Sequence, residues 1–272
     1  MRKVVCLICF VFVAMLLIPA NTLAATPVLV DNFNSYATGP VNTAANPPWT
    51  EGSNGPASAT IAGSGGNNYL VAATTTLAGT AKTNAVWRGV TATPNADTAT
   101  TLFLRFRAET STANSSFGLT DMVTPSAYMT GGFGEYANQM RVSVQGGVLG
   151  FDVRNGTGFN AARAAINVGE WYNVWAVINN STDKYDVYMT AGLEDAITGT
   201  ILYQQLGQGF RKTSTADLVT FMAMTQSGTA GGNGLPLDID NIYLTPGTVL
   251  SIPEPATMIL LGLGGLVLRR RK

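Results

Sequence analysis

The sequence predicts an all-β protein, in which residues 25–247 form a two-sheet antiparallel sandwich. Three observations carry this prediction. Short segments alternate between apolar and polar residues, turns rich in glycine and asparagine separate these segments, and helical periodicity is weak throughout. Period-two alternation is typical of antiparallel strands that bury one face, and many short strands favour a sandwich. A closed barrel is the rival architecture.

The clearest strand comprises residues 101–109, in which Leu102, Leu104 and Phe106 share one face and Arg105 lies on the other. The same alternation continues in two hairpins and two further strands. These are predicted at residues 139–156, 171–192, 217–226 and 237–244. Each segment is bounded by residue types that favour turns, as expected for strands of an antiparallel sandwich.

Residues 1–24 have the layout of a secretory signal peptide. Arg2 and Lys3 provide the basic start, and an apolar helix-length stretch follows before a run of small residues. Small side chains at the cleavage site favour a cut between Ala24 and Ala25. An uncleaved N-terminal anchor helix is the alternative.

The C-terminal segment, residues 253–272, has three parts and follows a linker at 248–252. The parts are the triplet Pro253, Glu254 and Pro255, the apolar run 256–268, and the basic residues Arg269, Arg270, Arg271 and Lys272. As a helix the apolar run would measure about 20 Å, at about 1.5 Å per residue, against roughly 30 Å for a bilayer core. We expect a short transmembrane helix with its basic end in the cytoplasm and the triplet outside. A plain tail anchor would explain the bases but not the triplet.

Composition excludes several classes of function. The chain has no histidine, and both cysteines, Cys6 and Cys9, lie in the predicted signal peptide. The exported part therefore cannot hold a Ser-His-Asp triad, a histidine-ligated zinc or a disulfide framework. Between the two terminal segments there are ten basic and fifteen acidic residues, so no nucleic-acid partner is expected.

The C-terminal segment resembles the PEP-CTERM sorting signal of Gram-negative bacteria. The resemblance rests on the Pro-Glu-Pro triplet, the apolar run and the terminal bases, in that order. It implies export through the general secretory machinery, transient retention in the inner membrane and cutting near the triplet by an exosortase. It also implies a final location at the cell surface or in the extracellular matrix, in an organism that makes exopolysaccharide or biofilm.

The middle of the chain resembles the concanavalin A-like, or laminin-G-like, jelly-roll superfamily. Residues 28–41 resemble its opening strand, 169–189 its Gly-x-Trp-Tyr hairpin and 237–244 its closing strand. The resemblance implies a jelly roll of the kind used by lectins, sugar-binding modules and glucanases. Glucanase-like members place two glutamates on one face of a strand, and Asp238 and Asp240 are the nearest approach to that pattern here.

Asp31, Asp238 and Asp240 are candidate ligands of a structural calcium, which some members of this superfamily hold near the first and last strands. Oxygen ligands suit calcium, and the three carboxylates would be neighbours if those strands pair. The alternative is that they are ordinary aspartates at turns and strand ends. No cofactor is otherwise required.

Trp49, Trp171 and Trp175 are candidate aromatic contacts for a sugar ring. Trp49 follows two prolines and is expected to be exposed in a loop. Trp171 and Trp175 share one face of a strand, opposite the more uniformly apolar face that carries Tyr172. Core packing is the alternative role for these side chains.

The sequence thus predicts a non-catalytic exported domain that binds extracellular polysaccharide or forms part of the matrix. No catalytic residue is assigned. Two alternatives stay open at this point. One is a glycan-active enzyme, either a glycosidase or a lyase, with an unusual carboxylate site, and the other is a structural adhesin without a sugar site.

Overall fold

The computed structural model describes residues 25–44, 49–53, 59–64, 66–73, 83–111, 114–125, 132–192, 200–226 and 236–250. These residues form seventeen β-strands, one short α-helix and one 3-10 turn. All the strand pairs are antiparallel and the strands lie in two sheets, which confirms the predicted all-β sandwich. The rival closed barrel is excluded because the strands divide into two separate sheets.

The elements are numbered in chain order. The strands are β1 (Val28–Asp31), β2 (Gly39–Pro40), β3 (Thr50–Ser53), β4 (Thr60–Ser64), β5 (Asn67–Ala72), β6 (Thr83–Thr93), β7 (Thr100–Ala108), β8 (Asn114–Thr120), β9 (Gln139–Gln145), β10 (Val148–Asn155), β11 (Gly158–Phe159), β12 (Ala164–Ala165), β13 (Trp171–Asn179), β14 (Lys184–Ala191), β15 (Tyr203–Gly209), β16 (Leu218–Gln226) and β17 (Leu237–Pro246). Helix α1 is Val41–Ala44, and the 3-10 turn is Gly132–Glu135.

The first sheet contains nine strands and the second contains eight. In the first sheet the order is β15-β14-β13-β7-β17-β5-β4-β2, and β1 also pairs with β17. In the second sheet the order is β11-β10-β9-β8-β16-β6-β3, and β12 also pairs with β10. The chain crosses between the sheets repeatedly, as from β6 to β7 and back to β8, so each sheet is built from strands distant in sequence.

The core lies between the two sheets and follows the predicted alternation. Leu104 and Phe106 of β7 lie directly opposite Val174 and Tyr172 of β13, and all four side chains are buried. The Phe106 ring stacks on Phe151 from the second sheet, with ring centroids 5.5 Å apart. The alternate residues of each strand therefore form the outer faces of the sandwich, where side chains are free to make other contacts.

The closing strand β17 holds the first sheet together. It pairs with β7 along one edge, and with β5 and then β1 along the other. Its register shifts between Asp240 and Tyr243, where Asn241 has a positive φ of 51°. Asparagine tolerates this backbone conformation better than most residues do, so a bulge fits here. The predicted pairing of the first and last strands is confirmed.

The predicted signal helix, the apolar run and the basic tail lie outside the described residues. Within the described part of the chain, no helix has the length and apolar character needed to cross a membrane. The described strands extend from Val28 to Pro246, inside the predicted domain of residues 25–247.

Candidate functional site

Asp31 is the centre of a buried hydrogen-bond cluster that joins the opening strand to the second sheet. Its carboxylate accepts hydrogen bonds from the Phe33 backbone nitrogen at 2.8 Å, the Tyr36 hydroxyl at 2.6 Å and Trp49 Nε1 at 2.8 Å. Arg88 of β6 forms an ion pair with the same carboxylate. Burial raises the pKa of Tyr36 to about 12, and its hydrogen bond to Asp31 acts in the same direction. The Asp31 carboxylate thus interacts with four donor groups of the protein.

Asp238 and Asp240 lie on the outer face of β17, on the opposite side from the core residue Leu237. Asp238 Oδ2 accepts a hydrogen bond from Arg107 Nη2 at 2.7 Å. The predicted calcium site is therefore wrong, because Asp31 faces the core and the other two aspartates face away from it. Among the described residues, no group of three acidic, histidine or cysteine side chains could hold a metal ion.

Two of the three tryptophans predicted to face a ligand are buried. Trp49 is 1% exposed and packs against Phe33 and Phe221, with ring centroids 5.4 and 6.1 Å away, so the expected loop exposure is wrong. Trp175 lies on the outer face of β13 but is 0% exposed, because it packs in a small cluster with Phe103. Neither indole can face a ligand in this structure.

Trp171 is partly exposed and belongs to a different arrangement on the outer face of the first sheet. The Arg107 guanidinium lies 4.8 Å from the Trp171 ring centroid and 5.1 Å from that of Tyr69. Arg107 also forms ion pairs with Asp238 and Glu109. The aromatic rings and carboxylates thus hold the guanidinium in place, and Trp171 remains a candidate ligand contact.

The Asp238 carboxyl is expected to make folding stability depend on pH. Its burial raises its pKa to about 7, with Glu109 acting in the same direction and Arg107 opposing the change. The folded protein therefore holds this proton more tightly than the unfolded chain between about pH 4 and pH 7. Stability should fall as the pH rises through that window and then level off. Urea midpoints measured at pH 5, 6, 7 and 8 test this.

Asp238→Asn supplies the comparison, because its neutral amide imitates the protonated acid at every pH. Between pH 5 and pH 7 the urea midpoint of this variant should decline less than that of the wild-type protein. Asp97→Asn, which removes an exposed carboxylate from a loop, should keep the wild-type slope. An unchanged slope in Asp238→Asn would show that another group causes the dependence.

A polar cleft of about 190 Å³ opens on the outer face of the second sheet. Its lining combines three side-chain amides, two guanidiniums, a hydroxyl and two phenyl rings. These belong to Asn114, Ser116, Phe133, Gln139, Arg141, Phe159, Arg211 and Gln226. Gln139 Nε2 donates to Ser116 Oγ at 2.8 Å, and Asn114 Nδ2 donates to Gln226 Oε1 at 3.2 Å. Hydrogen bonds between strands therefore fix the positions of the amides.

Close packing over Gly118 brings residues 136–138 across β8 and against this cleft. A Cβ atom at Gly118 would lie 1.9 Å from the Asn138 carbonyl oxygen, so only glycine allows this approach. Asn138 Oδ1 accepts from the Leu119 nitrogen at 2.9 Å, and the Tyr136 hydroxyl donates to the Ser116 carbonyl at 2.8 Å. These contacts position the start of β9, and with it Gln139.

Arg141 and Arg154 lie against the ring of Phe159. Their guanidinium carbons are 3.3 and 5.0 Å from its centroid. Arg141 also makes two hydrogen bonds to Asp152, which is 0% exposed, at 2.8 and 2.7 Å. Paired donors of this kind restrict the orientation of a guanidinium. The cleft is thus a rigid, polar and basic surface beside an aromatic ring.

Residues 251–272 match the family model described as the PEP-CTERM protein-sorting motif. The chain ends in a PEP-CTERM motif. No curated protein sequence matches the chain. Among solved structures, the lectin UEA-II complexed with galactose is similar to it, with 11% identity over 83% of this chain and 100% of that chain, at a TM-score of 0.53.

Lectin I from Ulex europaeus, solved with the methyl glycoside of α-L-fucose, is also similar to this chain. It shares 10% identity over 82% of this chain and 99% of that chain, at a TM-score of 0.51. At this level of identity, the likeness establishes the fold alone. The sandwich is therefore a concanavalin A-like jelly roll, as the sequence resemblance predicted.

Sequence reasoning assigned no role to the polar cleft, although part of the signal was available. In β9, Gln139, Arg141 and Ser143 alternate with the apolar Met140 and Val142, so a polar outer face could have been read from the strand. The contributions of Arg211 and Phe159 could not have been found in this way. They come from distant parts of the chain and reach the cleft only through folding.

Proposed function

We propose that this PEP-CTERM protein is an exported surface or matrix component whose sandwich domain binds polysaccharide without catalysis. The polar cleft on the second sheet carries the proposal. Its amides and guanidiniums can donate to sugar hydroxyls, and its phenyl rings can pack against the apolar faces of sugar rings. Drug-sized ligands occupy clefts of about 300–1,000 Å³. The smaller volume of 190 Å³ favours one sugar of a longer chain.

The PEP-CTERM motif supports the proposed route and location. The motif implies that an exosortase processes the chain after export and transient retention in the inner membrane. The protein would then remain at the cell surface or in an exopolysaccharide or biofilm matrix. A domain that binds polysaccharide would suit that location, and the lectin fold is compatible with it.

One observation bears on the alternative of a glycan-active enzyme. Asp238 and Glu109 both form ion pairs with Arg107 beside Trp171, and glycosidases use paired carboxyl groups. However, Asp238 is 1% exposed and is already paired with the Arg107 guanidinium. The pair thus supports a structural role with Arg107.

The test is binding of the full chain, purified in mild detergent, to a panel of soluble polysaccharides. Gln226→Ala should weaken binding about two- to tenfold, because it removes one neutral hydrogen-bonding group from the cleft. Gln204→Ala changes the same residue type on the first sheet and should leave binding unchanged.

Three other outcomes would redirect the assignment. Release of shortened sugar chains would favour the enzyme, and failure to bind any polysaccharide would favour a structural adhesin. Equal weakening by the two glutamine variants would place binding outside the cleft.

A further inference from the structure

The cleft lies beside a cluster of four arginines, Arg141, Arg154, Arg163 and Arg211, only two of which pair with a buried carboxylate. Arg141 and Arg163 both pair with Asp152, at 2.7 and 2.9 Å. Arg154 donates instead to the backbone oxygens of Gly156 and Thr157, at 3.0 and 2.5 Å. The ion pairs of this cluster thus leave positive charge in excess.

Arg211 is the cluster member that faces the cleft opposite Arg141. Its Nη1 donates to Gln139 Oε1 at 2.8 Å, which is a neutral amide oxygen. Desolvation and then the charge of Arg154 lower the pKa of Arg211. Desolvation and the charge of Arg141 likewise lower the pKa of Arg154. The Arg154 guanidinium therefore repels both Arg141 and Arg211, and an anion placed among them would relieve that repulsion.

This positive region contrasts with the domain that carries it. Between the two terminal segments, acidic residues outnumber basic ones by fifteen to ten. The arginines therefore cannot reflect a generally basic surface. Two of those ten basic residues line the cleft, and Arg154 lies against its Phe159 ring. A guanidinium forms its best-matched contacts with planar anions such as carboxylate, through two parallel hydrogen bonds.

We infer that the polar cleft selects an acidic polysaccharide, in which a uronate carboxylate lies against Arg211 and Arg141. Asn114 and Gln226 then contact the hydroxyls of the same sugar. This inference rests on the proposed function and adds the chemical class of the ligand. An exported acidic protein would be repelled by an acidic polymer at long range, so recognition depends on the local charge of the cleft.

The experiment compares two polysaccharides that differ only in whether each sugar carries a carboxylate. Polygalacturonate and its carboxyl-reduced form are titrated separately against the full chain in mild detergent, at low and moderate salt. Polygalacturonate should bind at least about tenfold more tightly than the reduced polymer, and added salt should narrow the difference. Arg211→Gln should remove most of the preference, because it deletes the charge while retaining an amide.

Lys184→Gln is the matched control, because it removes the same charge from an exposed position on the first sheet. This variant should keep the wild-type preference. Equal loss in the two variants would mean that net charge, and not the cleft, attracts the polymer, and would overturn the inference.

The remaining outcomes separate this inference from the proposed function. Equal binding of the two polymers would overturn the selection of a carboxylate but leave polysaccharide binding in place. If neither polymer binds while a neutral polysaccharide does, the ligand class is wrong and the proposed function stands. If no polysaccharide binds at all, both are wrong.

Discussion

Asp31→Ala is expected to lower the free energy of unfolding by about 3–5 kcal/mol, the cost typical of breaking a buried ion pair. The substitution removes the acceptor shared by Tyr36, Trp49 and Arg88, and leaves their donors without it in the core. Equilibrium unfolding in urea, followed by tryptophan fluorescence, measures the change. All four tryptophans contribute to the emission, and Trp49, which is buried beside Asp31, is one of them.

Tyr36→Phe provides a graded comparison in case Asp31→Ala fails to fold. It removes one of the hydrogen bonds to the charged Asp31 carboxylate and keeps the ring, so about 1.5–3 kcal/mol should be lost. Asp31→Asn should lie between these two variants, because its amide can still accept hydrogen bonds but carries no charge for Arg88. A loss below 1 kcal/mol in Asp31→Ala would contradict the central role given to this carboxylate.

Replacement of Pro253, Glu254 and Pro255 by alanines should abolish processing and trap the chain in the inner membrane. The apolar run 256–268 and the terminal basic residues would still hold the protein in the membrane. The Pro-Glu-Pro triplet that the exosortase is expected to recognise would be absent. Cell fractionation and the intact mass of the product measure this effect. The variant should have a higher mass than the processed wild-type protein and should be missing from the surface.

The control for sorting changes residues just before the motif. Pro246→Ala and Thr248→Ala lie outside the matched segment of residues 251–272, so a chain with these two changes should reach the surface at its normal mass. If the triple-alanine chain keeps both the wild-type location and the wild-type mass, the sorting proposal is refuted.

Local pattern was enough to predict β7, β9, β10, β13, β14, β16 and β17, because burial of one face imposes period-two alternation on a strand. It did not locate β6, β8 or β15. The resemblance of residues 28–41 and 237–244 to the ends of a known fold, and not the local pattern, implied that the first and last strands pair, as they do. The burial of Trp49 could not be predicted in this way. Two prolines before it indicate a loop, but the partners that bury it, Phe33 and Phe221, are distant in sequence.

The calcium site expected at Asp31, Asp238 and Asp240 shows the same limit of prediction from local pattern. Pairing of β1 with β17 was predicted correctly, yet the direction of each side chain depends on bulges that alternation alone does not reveal. The register of β1 shifts between Leu29 and Asp31, and that of β17 shifts between Asp240 and Tyr243. The carboxylates of two neighbouring strands can therefore lie on opposite faces of the sheet, too far apart to bind one ion.

The position of β17 has a mechanical consequence for a protein held by its C-terminal end. Force applied there would enter the domain through β17, which is an interior strand with partners on both edges. Its backbone hydrogen bonds to β7, β5 and β1 would be loaded together, in shear, and not opened one after another as in peeling. An interior strand in this position is therefore placed to resist tension better than an edge strand would.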